Sequence, residues 1–596
     1  MNWRKIAARL FRVSGRNSIY FYSLIIGIIS GLGAHLFLEG LHYVELFTFK
    51  TLVGLGNLQD GSVHNQVQTL PVDRRIIFFF LPIIGGLLVG IIIHYFSADA
   101  GGTGTDAMIV SFHQNEGRID TKVPLYKTIA TIITLGTGGS GGKEGPTSYI
   151  GAGIGSIVAN LLNVGARARR TLLLAGTAGG LGAVFLAPFG GAITAAEVIY
   201  KEDIESDSLV PCIISSVSAY LVYKGTSGQS HIYPDAQIAF PHYREFIFYL
   251  ALGLLCYAAG FVFVKIFHGL GHFFSRLKVH RILRPALGGV VIGCLALIFP
   301  QSIGTDGFGL LPELIKGRNP LAFSETPLWG AFAFLLIAVV KMLSTSFTVA
   351  SGGSGGIFGP SLFIGGMLGG FVGSLAMYFF PGYNISLPSF VLVGMGAFFA
   401  GIARAPIAAM IMVCDMIGNY MLLPPLMLVS VLAFILHHRW SIYKGQVATR
   451  FQSPAHYWDM NLNILENMTI EKDFPEYGKL AMAPKSMLLS QLEDKALEIQ
   501  ASDFVVLNPD DSYHGIISLR RVRLTRDLDH IRFLITLEDA DVKIPTVAPE
   551  SSLGDALKII LENEVDKVAI LDNNKVVGYI RHTDVLKLYH TTIQRT

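Results

Sequence analysis

Apolar positions in this chain gather into long uncharged stretches instead of alternating with polar ones. A helix that crosses a bilayer needs about 20 consecutive apolar residues, and 17–38, 76–98, 246–264, 285–305 and 416–438 meet that length. The longest stretch, 342–403, has no Asp, Glu, Lys or Arg and is long enough for more than one crossing, yet Gly residues and Pro360, Pro381 and Pro388 interrupt it. Broken helices at membrane depth are expected there. After about residue 450 the pattern changes to short β-branched runs, turns and amphipathic helices, as in FVVL at 504–507, a turn at 509–512 and a second apolar run from Gly515. That is the signature of a small αβ module.

Composition sharpens the division. The 596 residues are 51% hydrophobic and 15% charged, with a mean hydropathy of +0.50, which describes a membrane protein. Of the 89 charged residues, 39 fall in 451–596, so 17–450 belongs in lipid and the remainder in water. A net charge of +3 gives no basis for nucleic acid binding. Arg4, Lys5, Arg9, Arg12 and Arg16 precede the first span and make 1–16 a basic segment on the cytoplasmic side. The apolar run after them is too long for a cleaved signal peptide. Cys212, Cys256, Cys294 and Cys414 sit in apolar runs without CxxC spacing, so neither a disulfide framework nor a metal site is expected. Gly142-Lys143 fails as a nucleotide phosphate loop, because Glu144 follows where Ser or Thr is required.

The membrane part repeats internally. GGSGGKEGP at 138–146 returns as GGSGGIFGP at 352–360, and Ala187, Pro188 and Glu197 are matched by Ala405, Pro406 and Asp415. Two homologous halves follow, about 17–225 and 245–450. The tail also repeats, 505–522 corresponding to 568–585, with a second module at about 540–596.

Gly-rich loops ahead of helices present backbone N–H groups without intrahelical partners, at the positive end of the helix dipole. Such a terminus binds anions, and glycine lets the ion approach the backbone. Residues 101–105, 138–146 and 351–360 are therefore candidate linings of an anion pathway; close helix packing through small residues is the alternative and suits Gly365, Gly366, Gly369 and Gly370. Glu144 stands out, since an acid at membrane depth marks function. It competes with an anion for the same amides and leaves when protonated; otherwise it is a plain N-terminal capping acid. Lys143 either adds positive potential or neutralises Glu144.

These residues resemble the CLC family of chloride channels and chloride/proton exchangers. GKEGP at 142–146 is similar to its gating-glutamate motif, GGIFGP at 355–360 to its second-half anion motif, and GTGT at 102–105 to its first Gly-rich motif; Tyr443 falls where the family has a central tyrosine. The tail resembles a pair of cystathionine-β-synthase (CBS) domains. The resemblance implies a mostly α polytopic membrane protein of two inverted-repeat halves with broken helices, followed by a cytoplasmic α+β CBS pair. It implies a homodimer in the plasma membrane, with one pathway per subunit and no enzymatic activity. Glu144 becomes the gate, and the anion rests on the amides of Ile357 and Phe358 and the hydroxyls of Thr103 and Tyr443. Gly102, Gly104, Lys143, Gly145, Gly355 and Gly356 line the pathway. For Tyr443 an interfacial aromatic anchor is the other reading.

The chain departs from the family pattern at several positions. Thr103 replaces serine and Asp106 replaces proline; chloride stays the expected substrate, with other small anions open. Val198, after Glu197, stands where family exchangers usually carry an inner proton-passing glutamate, so a passive chloride channel is the first expectation and a chloride/proton antiporter the second. Glu197 is either a hydrogen-bonding acid or a proton relay. A cation-coupled carrier of an organic anion is the reading from another class. In the tail Asp584 fits a ribose-binding aspartate, while Arg521 and Arg581 do not fit the rest of such a site. An adenine nucleotide is thus a possible ligand, and no cofactor is required.

Overall fold

The computed structural model describes residues 18–56, 58, 61–320, 327–437, 440–456, 465, 468–473, 481–499, 503–510, 512–518, 534–539, 545–563, 567–572 and 575–593. Arg4, Lys5, Arg9, Arg12, Arg16 and Arg521 lie outside them. The chain divides into two units at Ala455/His456.

In the first unit α1 (Ser18–Glu45) runs into a π-helical turn (Leu46–Val53), followed by α2 (Val63–Thr69), α3 (Val72–Tyr95), α4 (Thr105–Gln114), α5 (Val123–Gly136), α6 (Glu144–Leu162), α7 (Ala166–Val184), α8 (Pro188–Glu197) and α9 (Leu209–Ser227). The second half comprises α10 (Phe246–Arg276), α11 (Leu283–Ile298), α12 (Leu310–Ile315), α13 (Pro327–Ala350), α14 (Phe358–Phe379), α15 (Leu387–Ala403), α16 (Pro406–Ile417) and α17 (Leu423–Leu436). Among the described residues six helices are long and apolar enough to cross a bilayer, and α5, α11, α15, α16 and α17 are apolar but shorter. Proline in the first turn starts many of them: Pro188 opens α8, Pro406 opens α16, and Pro388 is second in α15. Proline costs nothing there, because that N–H has no intrahelical partner.

The structure redraws two expected spans. Residues 285–305 form only α11 and then a 3₁₀ turn (Pro300–Ser302). The 416–438 stretch is cut where α16 ends at Gly418 (φ 66°), and Pro424 and Pro425 then start α17. The uncharged 342–403 stretch is broken as expected, into the end of α13, α14 and α15.

The halves pack in the same way. A Cβ on Gly151 would stand 2.1 Å from the Gly176 carbonyl oxygen, closing α6 on α7; one on Gly365 would stand 2.2 Å from that of Gly394, closing α14 on α15. Gly369 likewise meets the Phe390 carbonyl and Gly370 the Phe334 ring, so close packing is the use of these glycines.

The second unit contains α18 (Ile470–Asp473) and two modules. In the first, β1 (Ala481–Pro484), α19 (Leu489–Ile499), β2 (Asp503–Leu507) and β3 (Tyr513–Ser518) form a sheet with β1 parallel and β3 antiparallel to β2. The second repeats this with β4 (Thr546–Val547), α20 (Leu553–Glu562), β5 (Lys567–Asp572) and β6 (Lys575–Arg581), and α21 (His582–Ile593) follows. Pairing Phe504↔Ile517 against Val568↔Ile580 moves the repeat by one residue in its first strand: Phe504, not Val505, matches Val568. Five residues separate the paired Leu507 and Tyr513, one more than separate their counterparts Leu571 and Val576. Val505, Ile516 and Ala569 join the two modules in one apolar cluster.

Candidate functional site

The two glycine-rich loops lie against each other. Gly142 and Gly356 exchange both backbone hydrogen bonds, at 2.7 and 2.6 Å. Gly102 donates to the Gly353 carbonyl at 3.0 Å, and Gly355 donates to that of Gly102 at 3.2 Å. The serine in each loop is held by the other half. Ser140 donates its N–H to Thr348 Oγ1 (3.0 Å) and its hydroxyl meets Thr345 (3.0 Å); Ser354 donates its N–H to Thr134 Oγ1 (3.1 Å) and its hydroxyl meets Thr131 (2.8 Å). Each residue of one set stands 214 positions from its counterpart, the spacing of the loops themselves. Buried backbone and hydroxyl groups in lipid need such partners, and the repeat supplies them reciprocally.

This stitching brings three helix N-termini together. A Cβ on Gly145, in the first turn of α6, would stand 2.5 Å from the Thr103 carbonyl oxygen ahead of α4 and 2.8 Å from Gly356 Cα ahead of α14. Gly104, the N-cap of α4, has φ of 74°, a left-handed angle that favours glycine. The N-terminal ends of α4, α6 and α14 therefore point their dipoles at one region. Glu144, buried at the start of α6, accepts a hydrogen bond at Oε2 from the Gly359 N–H (3.1 Å), in the first turn of α14. Ile357 and Phe358 occupy the N-cap and first position of that helix. Thr103 Oγ1 accepts the Asp106 N–H at 3.3 Å, which leaves its proton available to a ligand. Tyr443 is buried. Gly102, Gly355 and Gly356 use backbone groups to join the loops. A cavity of about 1060 Å³ reaches Glu144 and is lined by Lys143, Tyr233, Thr305 and Asp306 among others.

Two buried lysines complete the electrostatics, and neither was anticipated. Lys127 on α5 donates to the carbonyls of Gly101 (2.8 Å) and Gly102 (2.7 Å). Lys341 on α13 donates to that of Gly304 (2.6 Å), beside Thr305, and lies 4.9 Å from the Phe363 ring centroid. Both are 0% exposed. They too are 214 residues apart, a signal that the repeat held.

Glu197 accepts the N–H groups of Ile407 (3.2 Å) and Ala408 (2.6 Å) at the start of α16, while Asp415 accepts those of Phe189 (3.1 Å) and Gly190 (3.0 Å) at the start of α8. Each acid caps the helix of the other half. Val198 is buried, its side chain in the apolar core. In the second unit Asp584 Oδ2 accepts the Arg581 N–H (3.2 Å). No cluster of metal-ligating side chains occurs among the described residues.

Converging helix N-termini, an acid seated on one of them and an inverted repeat in lipid define a multi-pass membrane transporter for anions. The chain belongs to the voltage gated chloride channel family, whose model matches residues 85–438, and carries a CBS domain matched at 539–591. Members of this family transport chloride and are not enzymes. The H(+)/Cl(-) exchange transporter ClcA of Vibrio cholerae is 31% identical over 433 residues, 70% of this chain and 86% of the relative. A putative chloride channel protein, ClcB-like, of Ralstonia nicotianae is 28% identical over 384 residues, covering 64% and 86%. The crystal structure of a eukaryotic CLC transporter matches 95% of this chain and 97% of its own, with a TM-score of 0.58 at 17% identity.

Proposed function

We propose that this protein exchanges chloride for protons across the plasma membrane as a homodimer, with Glu144 as both gate and proton carrier. One contact carries the reading: the Glu144 carboxylate on the Gly359 amide at the head of α14. A helix N-terminus attracts either negative group, so the ionised acid and chloride contest one position, and protonation releases the acid. In this reading chloride rests on the amides of Ile357 and Phe358 and the hydroxyls of Thr103 and Tyr443, Lys127, Lys341 and Lys143 lend positive potential, and the N-terminal segment and CBS tail face the cytoplasm. The name of the Vibrio cholerae relative supports exchange in place of the passive channel that Val198 suggested from sequence. Protons then reach Glu144 by an inner route that bypasses residue 198. The passive channel stays as the second reading, favoured by that buried valine.

Liposomes holding the purified protein under opposed chloride and pH gradients separate the two. Uphill proton movement driven by chloride is expected; a reversal potential at the chloride value selects the channel instead. Glu144→Gln, which mimics the protonated side chain, is expected to pass chloride independently of pH and without protons. Unchanged pH dependence in that variant would mean that another group gates.

A further inference from the structure

The segment that carries Tyr443 follows α17 and crosses the C-terminal ends of one helix from each half. Helix ends leave carbonyls without intrahelical donors, and here Ala403 is the last residue of α15 while Val198 caps α8. The buried side chain of Gln446 meets them. Its Nε2 lies 2.7 Å from the Val198 carbonyl oxygen, 2.9 Å from that of Ala403 and 3.2 Å from that of Tyr200. An amide nitrogen carries two hydrogens, so three acceptors saturate it. Its Oε1 accepts the Ser441 hydroxyl proton, and the Ser441 oxygen in turn accepts the Tyr443 N–H at 3.1 Å. On either side of Tyr443 the backbone is tied again: Ile442 donates to the Ile402 carbonyl (2.9 Å) and Gly445 to Asp106 Oδ1 (2.8 Å).

We infer that Gln446 is a positioning residue that fixes the Tyr443 hydroxyl at the anion site by clamping its loop to the ends of α8 in one half and α15 in the other. The inference rests on the reading of Tyr443 as an anion ligand and deepens it. Val198 thereby gains a role through its carbonyl that its side chain does not offer.

The test uses the full-length protein in liposomes and separates chloride KM from kcat. Gln446→Glu keeps size and shape but turns an acceptor towards three carbonyls, and it is expected to raise the chloride KM about tenfold. Ser441→Ala cuts only the link to Tyr443 and is expected to raise KM by a smaller factor. Ser386→Ala, which removes the N-cap of α15 at its far end, is expected to leave KM unchanged. An unaltered KM in a well-folded Gln446→Glu protein overturns the inference. Where that variant does not fold, an unaltered KM in Ser441→Ala overturns it. Absence of chloride flux in the unmodified protein is a different failure, that of the anion-site reading itself.

Discussion

At Gly145 the difference between hydrogen and methyl decides whether three helix ends can meet. The obstacles around it are backbone atoms of Thr103 and Gly356 and cannot rotate away. Gly145→Ala is expected to cost about 1–3 kcal/mol by overpacking and to lower chloride flux, as thermal unfolding and liposome assays would measure. Gly225→Ala, where a Cβ would meet nothing within 4 Å, serves as the control and should change neither. The same economy of space explains why the acid at 144 reaches the neighbouring helix: Gly359 has no side chain between that carboxylate and the amide it accepts from. Lys127 and Lys341 serve segments distant in sequence: each fixes a loop through backbone carbonyls.

Among elements, the short helices α8 and α16 depend on each other. Glu197→Ala removes both acceptors from the start of α16, and loss of such a cap costs about 0.5–2 kcal/mol, measurable as a lower thermal midpoint. Glu197→Gln keeps an acceptor oxygen and is expected to unfold closer to the unmodified protein, with proton coupling intact. Lost coupling in that variant would make Glu197 a relay. The glycine-rich loops and the repeat are legible in the sequence because both need residue types at fixed spacing: GGSGG before Glu144 and before Ile357 admits little else. The boundaries of α11, α16 and α17 are not, since hydropathy sums over the Gly418 cap and over Pro424 and Pro425 without registering that a helix ends and restarts there. Lys127, Lys341 and Gln446 escaped for a different reason. Polar side chains in such stretches read as interruptions until the backbone carbonyls they serve are known, and those belong to distant segments.

On the scale of the whole molecule, the membrane unit is two halves joined in sequence by the run between α9 and α10, 228–245. Their mutual attachments are noncovalent and reciprocal: serine to threonine in both directions, loop to loop, and acid to helix start in both directions. Nothing in that list needs a peptide bond between residues 228 and 245. A gene cut there and expressed as two polypeptides should yield fragments that co-purify and carry chloride together, while either alone, with its serine and helix starts left unpartnered, should be lost to degradation. The connecting loop would then be a means of making equal numbers of the two pieces, and assembly would be written into their surfaces.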